Sequence, residues 1–174
     1  MPILSETEAF EAMSKPRMIE LLKLYAQLLL TVDGLWFMGI EKAKGVDDAI
    51  KFDIEVWRQF GGLEANRMKK FVGMDSITTV EDVCKIVLLS PMWVSVGPKA
   101  EIQNGRCFLS VTNCHPQKAR IRQGLGEFPC KSVGAAYFEG FAPALNPNLK
   151  YRCVFCPPDQ HPENEWCKWE VGWF

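Results

Sequence analysis

The sequence predicts an α+β fold in which N-terminal helices precede a mainly antiparallel sheet of about four strands with crossover helices. Three observations carry this expectation. Up to about residue 90, apolar residues recur at helical spacing. After Pro91, short apolar segments alternate with turn residues. In the final segment Trp169, Val171 and Trp173 alternate with Lys168, Glu170 and Gly172, the two-residue period of a half-exposed antiparallel strand.

Residues 16–32 read as a central helix. Pro16 occupies the first turn, where a missing N–H costs nothing, and Ile19, Leu22, Tyr25, Leu29 and Leu30 form its apolar face. Asp33-Gly34 either ends this helix or lets it run on through Trp36 and Met38. Residues 46–58 read as a second helix, with Ile50, Ile54 and Trp57 on one face and Asp47 and Asp48 near its positive end. Gly61-Gly62 is expected to interrupt it before a further helical stretch at 63–71. Thr79, with Asp82 three residues on, is the N-cap of a helix reaching Leu88 or Leu89.

Residues 92–96 and 100–103 look like strand. Asn104-Gly105 then supplies the two positive-φ positions of a type I′ hairpin turn, and 106–112 returns as the next strand. A short helix is expected at 116–123 and a longer one at 133–145, with Tyr137, Phe138 and Phe141. Residues 150–155 and 166–173 complete the sheet. The chain reads as one domain, 1–174, helical to about residue 90 and carrying the sheet and its cysteines from about 91 onward.

A chain of 174 residues can bury roughly two-thirds of its unfolded surface. With 48% hydrophobic and 24% charged residues it is globular rather than disordered. A net charge of -1 gives no pull toward nucleic acid or an anionic membrane. The first eight residues have neither a basic nor an apolar segment, so no secretory signal is expected. Residues 18–38 are broken by Glu20, Lys23, Gln27 and Asp33 and read as too polar to span a bilayer. The expected location is cytoplasmic. Seven cysteines, an odd number in such a compartment, argue against a disulfide framework.

Cys153 and Cys156 form a CxxC followed by Pro157-Pro158. Strand before the pair and prolines after it disfavour the helix-terminal geometry of a redox motif. A metal site needs the chain to bend so that both thiolates face one ion, and the proline turn supplies a bend. If 166–173 pairs with 150–155, Cys167 returns near Cys153, while Cys130 opens the crossover helix leading to that strand. Four thiolates suit zinc. Cys114 and His115 are an alternative source of the fourth ligand, and His161 lies in the closing loop. The plain alternative is a set of separate buried cysteines.

Several segments together resemble a known family. They are Phe128-Pro129-Cys130-Lys131-Ser132-Val133-Gly134, Tyr137-Phe138-Glu139-Gly140-Phe141-Ala142, Cys153 through Asp159, and Trp166-Cys167-Lys168-Trp169-Glu170. Asp33-Gly34-Leu35-Trp36-Phe37, Val56-Trp57 and Glu64-Ala65 fit it upstream. The family is one of uncharacterised prokaryotic cytosolic proteins. It is similar to the aminothiazoline-carboxylate hydrolases and, more distantly, to the four-vinyl-reductase domain of aromatic-sensing activators. The resemblance implies a small-molecule-binding or sensing domain with structural zinc on Cys130, Cys153, Cys156 and Cys167, Cys153 standing where the sensors carry an acidic ligand. An iron–sulfur cluster is the alternative cofactor.

Trp36, Trp57, Trp93 and Tyr137 are the candidate pocket for a small apolar or aromatic ligand. With no output domain, a signal would pass through a partner or a homodimer interface. The hydrolase resemblance makes action on a small heterocycle or amide the competing expectation, and an iron–sulfur or redox protein a third. Asp33, Glu64 and Glu139 are candidate acid–base or orienting groups. A Cys114-His115 dyad is disfavoured because sequence neighbours rarely face one another. Lys118, Arg120 and Arg122 read as a solvated basic face.

Overall fold

The computed structural model describes residues 5–174. Met1 to Leu4, part of the stretch in which no secretory signal is expected, lie outside them. Two helices of unequal weight open the chain, α1 (Glu6–Glu11) and the 30-residue α2 (Lys15–Lys44). They are followed by α3 (Val46–Phe71), α4 (Val80–Leu89) and α5 (Pro91–Ser95). The hairpin β1 (Pro98–Gln103) and β2 (Arg106–Val111) leads to α6 (His115–Arg122) and α7 (Lys131–Leu145), then to β3 (Lys150–Phe155) and β4 (Cys167–Gly172). The fold is α+β, with a four-stranded antiparallel sheet in the order β1-β2-β4-β3.

The local chemistry explains most boundaries. Thr79 Oγ1 accepts from the Asp82 backbone N–H at 3.2 Å and starts α4. Asn104 and Gly105 both have positive φ, 51° and 70°, and turn β1 back onto β2. Residues 92–96 are not strand. Pro91 follows Ser90, sits in the first turn and starts α5, so its fixed φ wins over the β-propensity of Trp93 and Val94.

Asp33-Gly34 does not end α2. The helix runs nearly three turns further before Gly45, at φ 91°, separates it from α3. By length and composition α2 is also apolar enough to cross a membrane, so its polar interruptions weigh less than the sequence reading gave them. Its inner side packs on α3, α5 and α6. Its outer side leaves Leu22, Tyr25, Leu28, Val32, Leu35 and Trp36 exposed.

Gly61-Gly62 does not interrupt α3 either. A Cβ at Gly61 would overlap the Tyr137 carbonyl. One at Gly140 would overlap the Arg58 carbonyl and come within 2.9 Å of the Gly62 nitrogen. The glycines allow the α3 and α7 backbones to touch, and this contact offsets their cost in helix propensity. Arg58 Nε donates to Glu139 at 2.9 Å across the same seam, so Glu139 is an exposed structural partner rather than a site residue.

The sheet holds two surprises. Glu170 is fully buried on β4, where it accepts from Arg106 at 2.6 Å and from Arg152, so β4 is covered on both faces rather than half-exposed. Cys84 and Cys107 form a disulfide joining α4 to β2, with Cα atoms 6.5 Å apart. An odd cysteine count cannot reveal that pair, because it depends on α4 lying across the hairpin.

Gly140→Ala should cost about 1–3 kcal/mol of stability in urea unfolding, as overpacking at a helix seam does. Gly62→Ala, whose Cβ meets only the Gly140 carbonyl oxygen at an ordinary 3.6 Å, should change stability by less than about 1 kcal/mol. Equal effects of the two would show that the backbones are not in contact.

Candidate functional site

The first turn of α7 lies beside the end of the β3–β4 hairpin. Cys130 is the N-cap of α7. Its position is fixed by Gln117, a buried α6 side chain whose Oε1 accepts from the Phe128 N–H at 2.8 Å. Gln117 Nε2 donates to the Phe128 carbonyl at 2.7 Å and reaches Cys130 Sγ at 3.4 Å. The chain leaving β3 is tied to the same place, since the Lys131 N–H donates to the Pro157 carbonyl at 3.0 Å. Lys131 Nζ holds Asp159 at 2.8 Å, and the Asp159 N–H donates to the Cys156 carbonyl.

These ties bring Cys156 Sγ to 3.6 Å from Cys130 Sγ. Cys167 stands at the start of β4, opposite Val111, and its thiol reaches Cys156. Cys153 pairs with Trp169, and a register irregularity follows it before Phe155, the bend that a straight CxxC strand lacks. Cys153 and Cys114 both lie within electrostatic range of Cys130 and Cys167. His161 turns away to the Pro162 carbonyl and, at 3.5 Å, to Glu127.

Among the described residues no group of three or more His, Cys, Asp or Glu is arranged to hold a metal ion as it stands. The donor chemistry nevertheless fits one. Sulfurs on a tetrahedral zinc are about 3.8 Å apart, close to the Cys130–Cys156 separation. Hydrogen bonding between these two sulfurs lowers the Cys130 thiol and raises Cys156. Burial pushes Cys153 up to about 11 and Cys114 up to about 12. Buried, clustered thiols of this kind release their protons to a cation rather than to water.

Behind the cysteines is a cavity of about 150 Å³, the size of one aromatic ring. Trp57, Trp93 and Tyr137 line it, together with Trp169 and Cys114, Cys130, Cys156 and Cys167. Trp36 does not. It is 72% exposed on the outer face of α2 and lines only a surface groove with Phe52 and Val56.

The walls are held by a buried network. Tyr137 donates to Glu64 at 2.6 Å, Trp93 Nε1 donates to Tyr137 at 3.2 Å, and the Met92 N–H donates to the other Glu64 oxygen at 3.1 Å. Glu64 is therefore an orienting group for the aromatic walls. Burial raises both Glu64 and Tyr137 above their ordinary ranges.

A model of a family of unknown function, DUF6125, matches residues 11–173. The chain belongs to this family. No curated protein matches it.

One residue of this family member, the partner of the candidate Asp33, went unrecognised in the sequence. Asp53, on α3, faces Asp33, on α2, and both line the ring-sized cavity and a second cleft of about 400 Å³ that opens past α6. Asp53 was legible in principle. It lies three residues after Ile50 and four before Trp57, a charge on the apolar stripe. Burial pushes Asp33 up to about 6. Burial and then the charge of Asp33 push Asp53 up to about 7, with Trp57 offering each a partly compensating hydrogen bond. Arg120 is not part of a solvated face. It is nine-tenths buried and grips Glu41 with two bonds, at 2.6 and 3.1 Å.

The folded state binds protons at Asp33 and Asp53 more tightly than the unfolded chain does. Their contribution to stability is full below about pH 4 and is lost as pH rises through about 6 to 7. Asp33→Asn/Asp53→Asn should remove that slope and leave the double variant more stable than wild type at pH 8, by an amount on the order of a few kcal/mol. Parallel urea-unfolding curves for the two proteins from pH 4 to 8 would contradict the assignment.

Proposed function

We propose that the protein is a small-molecule-binding or sensing domain in which a structural zinc fastens the end of the β3–β4 hairpin to α7. The observation that supports this reading is the shared wall. Three of the four cysteines that would hold the metal, Cys130, Cys156 and Cys167, also line the ring-sized aromatic cavity, so the metal site and the ligand site would share a wall. Cys130, Cys156 and Cys167 would supply three thiolates. Cys153 is the proposed fourth, because it immediately precedes the bend in β3 and lies within electrostatic range of both Cys130 and Cys167. Bound there, the metal would neutralise the thiolates and cross-link two elements. With four sulfurs it would have no open position, hence no catalytic role.

The similarity to the aromatic-sensor domain is proposed on the same residues, and it favours an apolar or aromatic ligand. A second copy of the chain is proposed to cover the outer apolar face of α2, where Trp36 and its neighbours lie next to Phe52 and Val56 of α3. A second reading, a hydrolase of a small heterocycle or amide, draws support from Asp33 and Asp53, a proton-holding carboxyl pair at the cavity.

Elemental analysis and sedimentation of one preparation test the proposal. About one zinc per chain in a colourless dimer is expected, and Cys156→Ser should lose the metal and melt at least ten degrees lower, since a structural metal carries folding free energy. Brown protein with iron would replace zinc by a cluster. Absence of stoichiometric metal with an unchanged Cys156→Ser melting curve would overturn the clasp, and a monomer would overturn the proposed dimer.

A further inference from the structure

Helix α2 carries two apolar rows. Ala26, Leu30 and Phe37 form the inner one and are buried where α2 packs on the rest of the fold. The outer one is Met18, Leu22, Tyr25, Leu29, Val32 and Trp36, spaced alternately by four and three residues. That 3.5-residue repeat, held over six positions, is the seam of a helix that pairs with another helix. A helix that serves only its own core needs one row. Met18 is partly buried, and the other five members of the outer row are 38–72% exposed. With Leu28 and Leu35 beside the row and Phe52 and Val56 on α3, the exposed side chains offer on the order of 1,000 Å² per copy, against roughly 800 Å² per partner in a stable interface.

The two halves of α2 differ in shape. From Lys15 to Leu29 only Ala26 is buried, so this half is a ridge. The second half runs beside α3 and shares with it a groove of about 300 Å³, lined by Leu29, Val32, Trp36, Phe52 and Val56. Two copies fit ridge into groove when they run antiparallel, whereas parallel copies set ridge on ridge. Charge agrees with this. Glu6, Glu8 and Glu11 of α1 precede the ridge, and Lys42 and Lys44 end the second half, all of them exposed. Antiparallel copies bring these opposite charges together, and parallel copies bring like charges together.

We infer that two copies of the chain pair antiparallel through α2, the ridge of each lying in the α2–α3 groove of the other. This rests on the dimer proposed above and adds its orientation and register. In the register that overlaps the whole outer row, Leu22 faces Val32 of the second copy, Tyr25 faces Leu29, and Met18 faces Trp36. The interface is isologous, so each contact occurs twice. Asp33 and Asp53 also line the groove, so the second copy's helix would close one side of the proposed ligand site. α2 has the length and hydropathy of a membrane span, but its inner row is packed on α3, α5 and α6, and its outer row repeats as a helix partner requires.

Sedimentation equilibrium of the full chain and three variants tests this. Wild type should be a dimer. Leu22→Lys and Val32→Glu, each at a position open to solvent in the single chain, should keep the helical circular dichroism and weaken dimerisation at least about tenfold, since each places an unpaired charge in the interface. Leu22→Lys/Val32→Glu in one chain should recover most of that loss, because the two charges face each other across antiparallel copies. In parallel copies each would face its own kind, and the double variant would dimerise more weakly than either single one. Tyr25→Lys and Leu29→Glu, which also face each other in this register, stand in if a variant misfolds. Single variants that dissociate without recovery in the double one would overturn the antiparallel register and leave the dimer on α2 standing. Single variants that dimerise like wild type, or a wild-type monomer, would overturn both, and a monomer that floats with phosphatidylcholine vesicles would give this face to a membrane.

Discussion

The arrangement of the site depends on two helix backbones being in direct contact. Gly61 and Gly140 remove the side chains that would separate α3 from α7, and the helices close until carbonyls occupy the space of the missing methyl groups. That approach brings Glu64 within bonding distance of Tyr137 and sets Trp57 beside it. It also fixes where α7 begins, and so where Cys130 stands. The aromatic walls, the carboxyl network and the first cysteine are placed by one seam. A larger residue at Gly140 would move all three together, because close-packed interiors shift as units.

Around that seam the protein places buried polar groups in two different ways. Glu170 and Glu64 are fully partnered and hold the sheet and helices in register. Asp33, Asp53, His115 and Arg120 are left partly unpaired, and all four face one cleft. Polar groups that cost stability and converge on a cleft are what the proposed binding reading draws on. The cysteine cluster adds to this. It forms the far wall of the inner cavity, so a metal that tightened the hairpin end would also set the cavity's depth.

The parts of this structure that were legible in the sequence are those governed by short-range rules. Thr79 with Asp82 marks a cap, Asn104-Gly105 marks a hairpin, and the period of 150–155 and 166–173 marks two strands, so the order of elements follows. What sequence pattern missed depends on partners distant in the chain. Gly61-Gly62 looks like a break until α7 is seen against it. Residues 92–96 have strand composition, but Pro91 can start a helix there. Glu170 fits an exposed position on an alternating strand until Arg106 and Arg152 close over it, and the Cys84–Cys107 disulfide exists only because α4 crosses the sheet. In the site, Trp57, Trp93 and Tyr137 meet and three of the four named cysteines converge, while Trp36 points outward. Asp53 was present in the pattern as a charge on an apolar stripe, a signal that is informative only when its neighbour Asp33 is considered with it.

The proposed clasp requires the cysteines at the head of α7 and the end of the hairpin to close on one metal ion. X-ray absorption at the metal edge of the purified protein reads this directly. A first shell of four sulfurs at about 2.3 Å with no light-atom ligand is expected for the clasp. A shell containing nitrogen or oxygen donors, or a protein with no metal to measure, would contradict it.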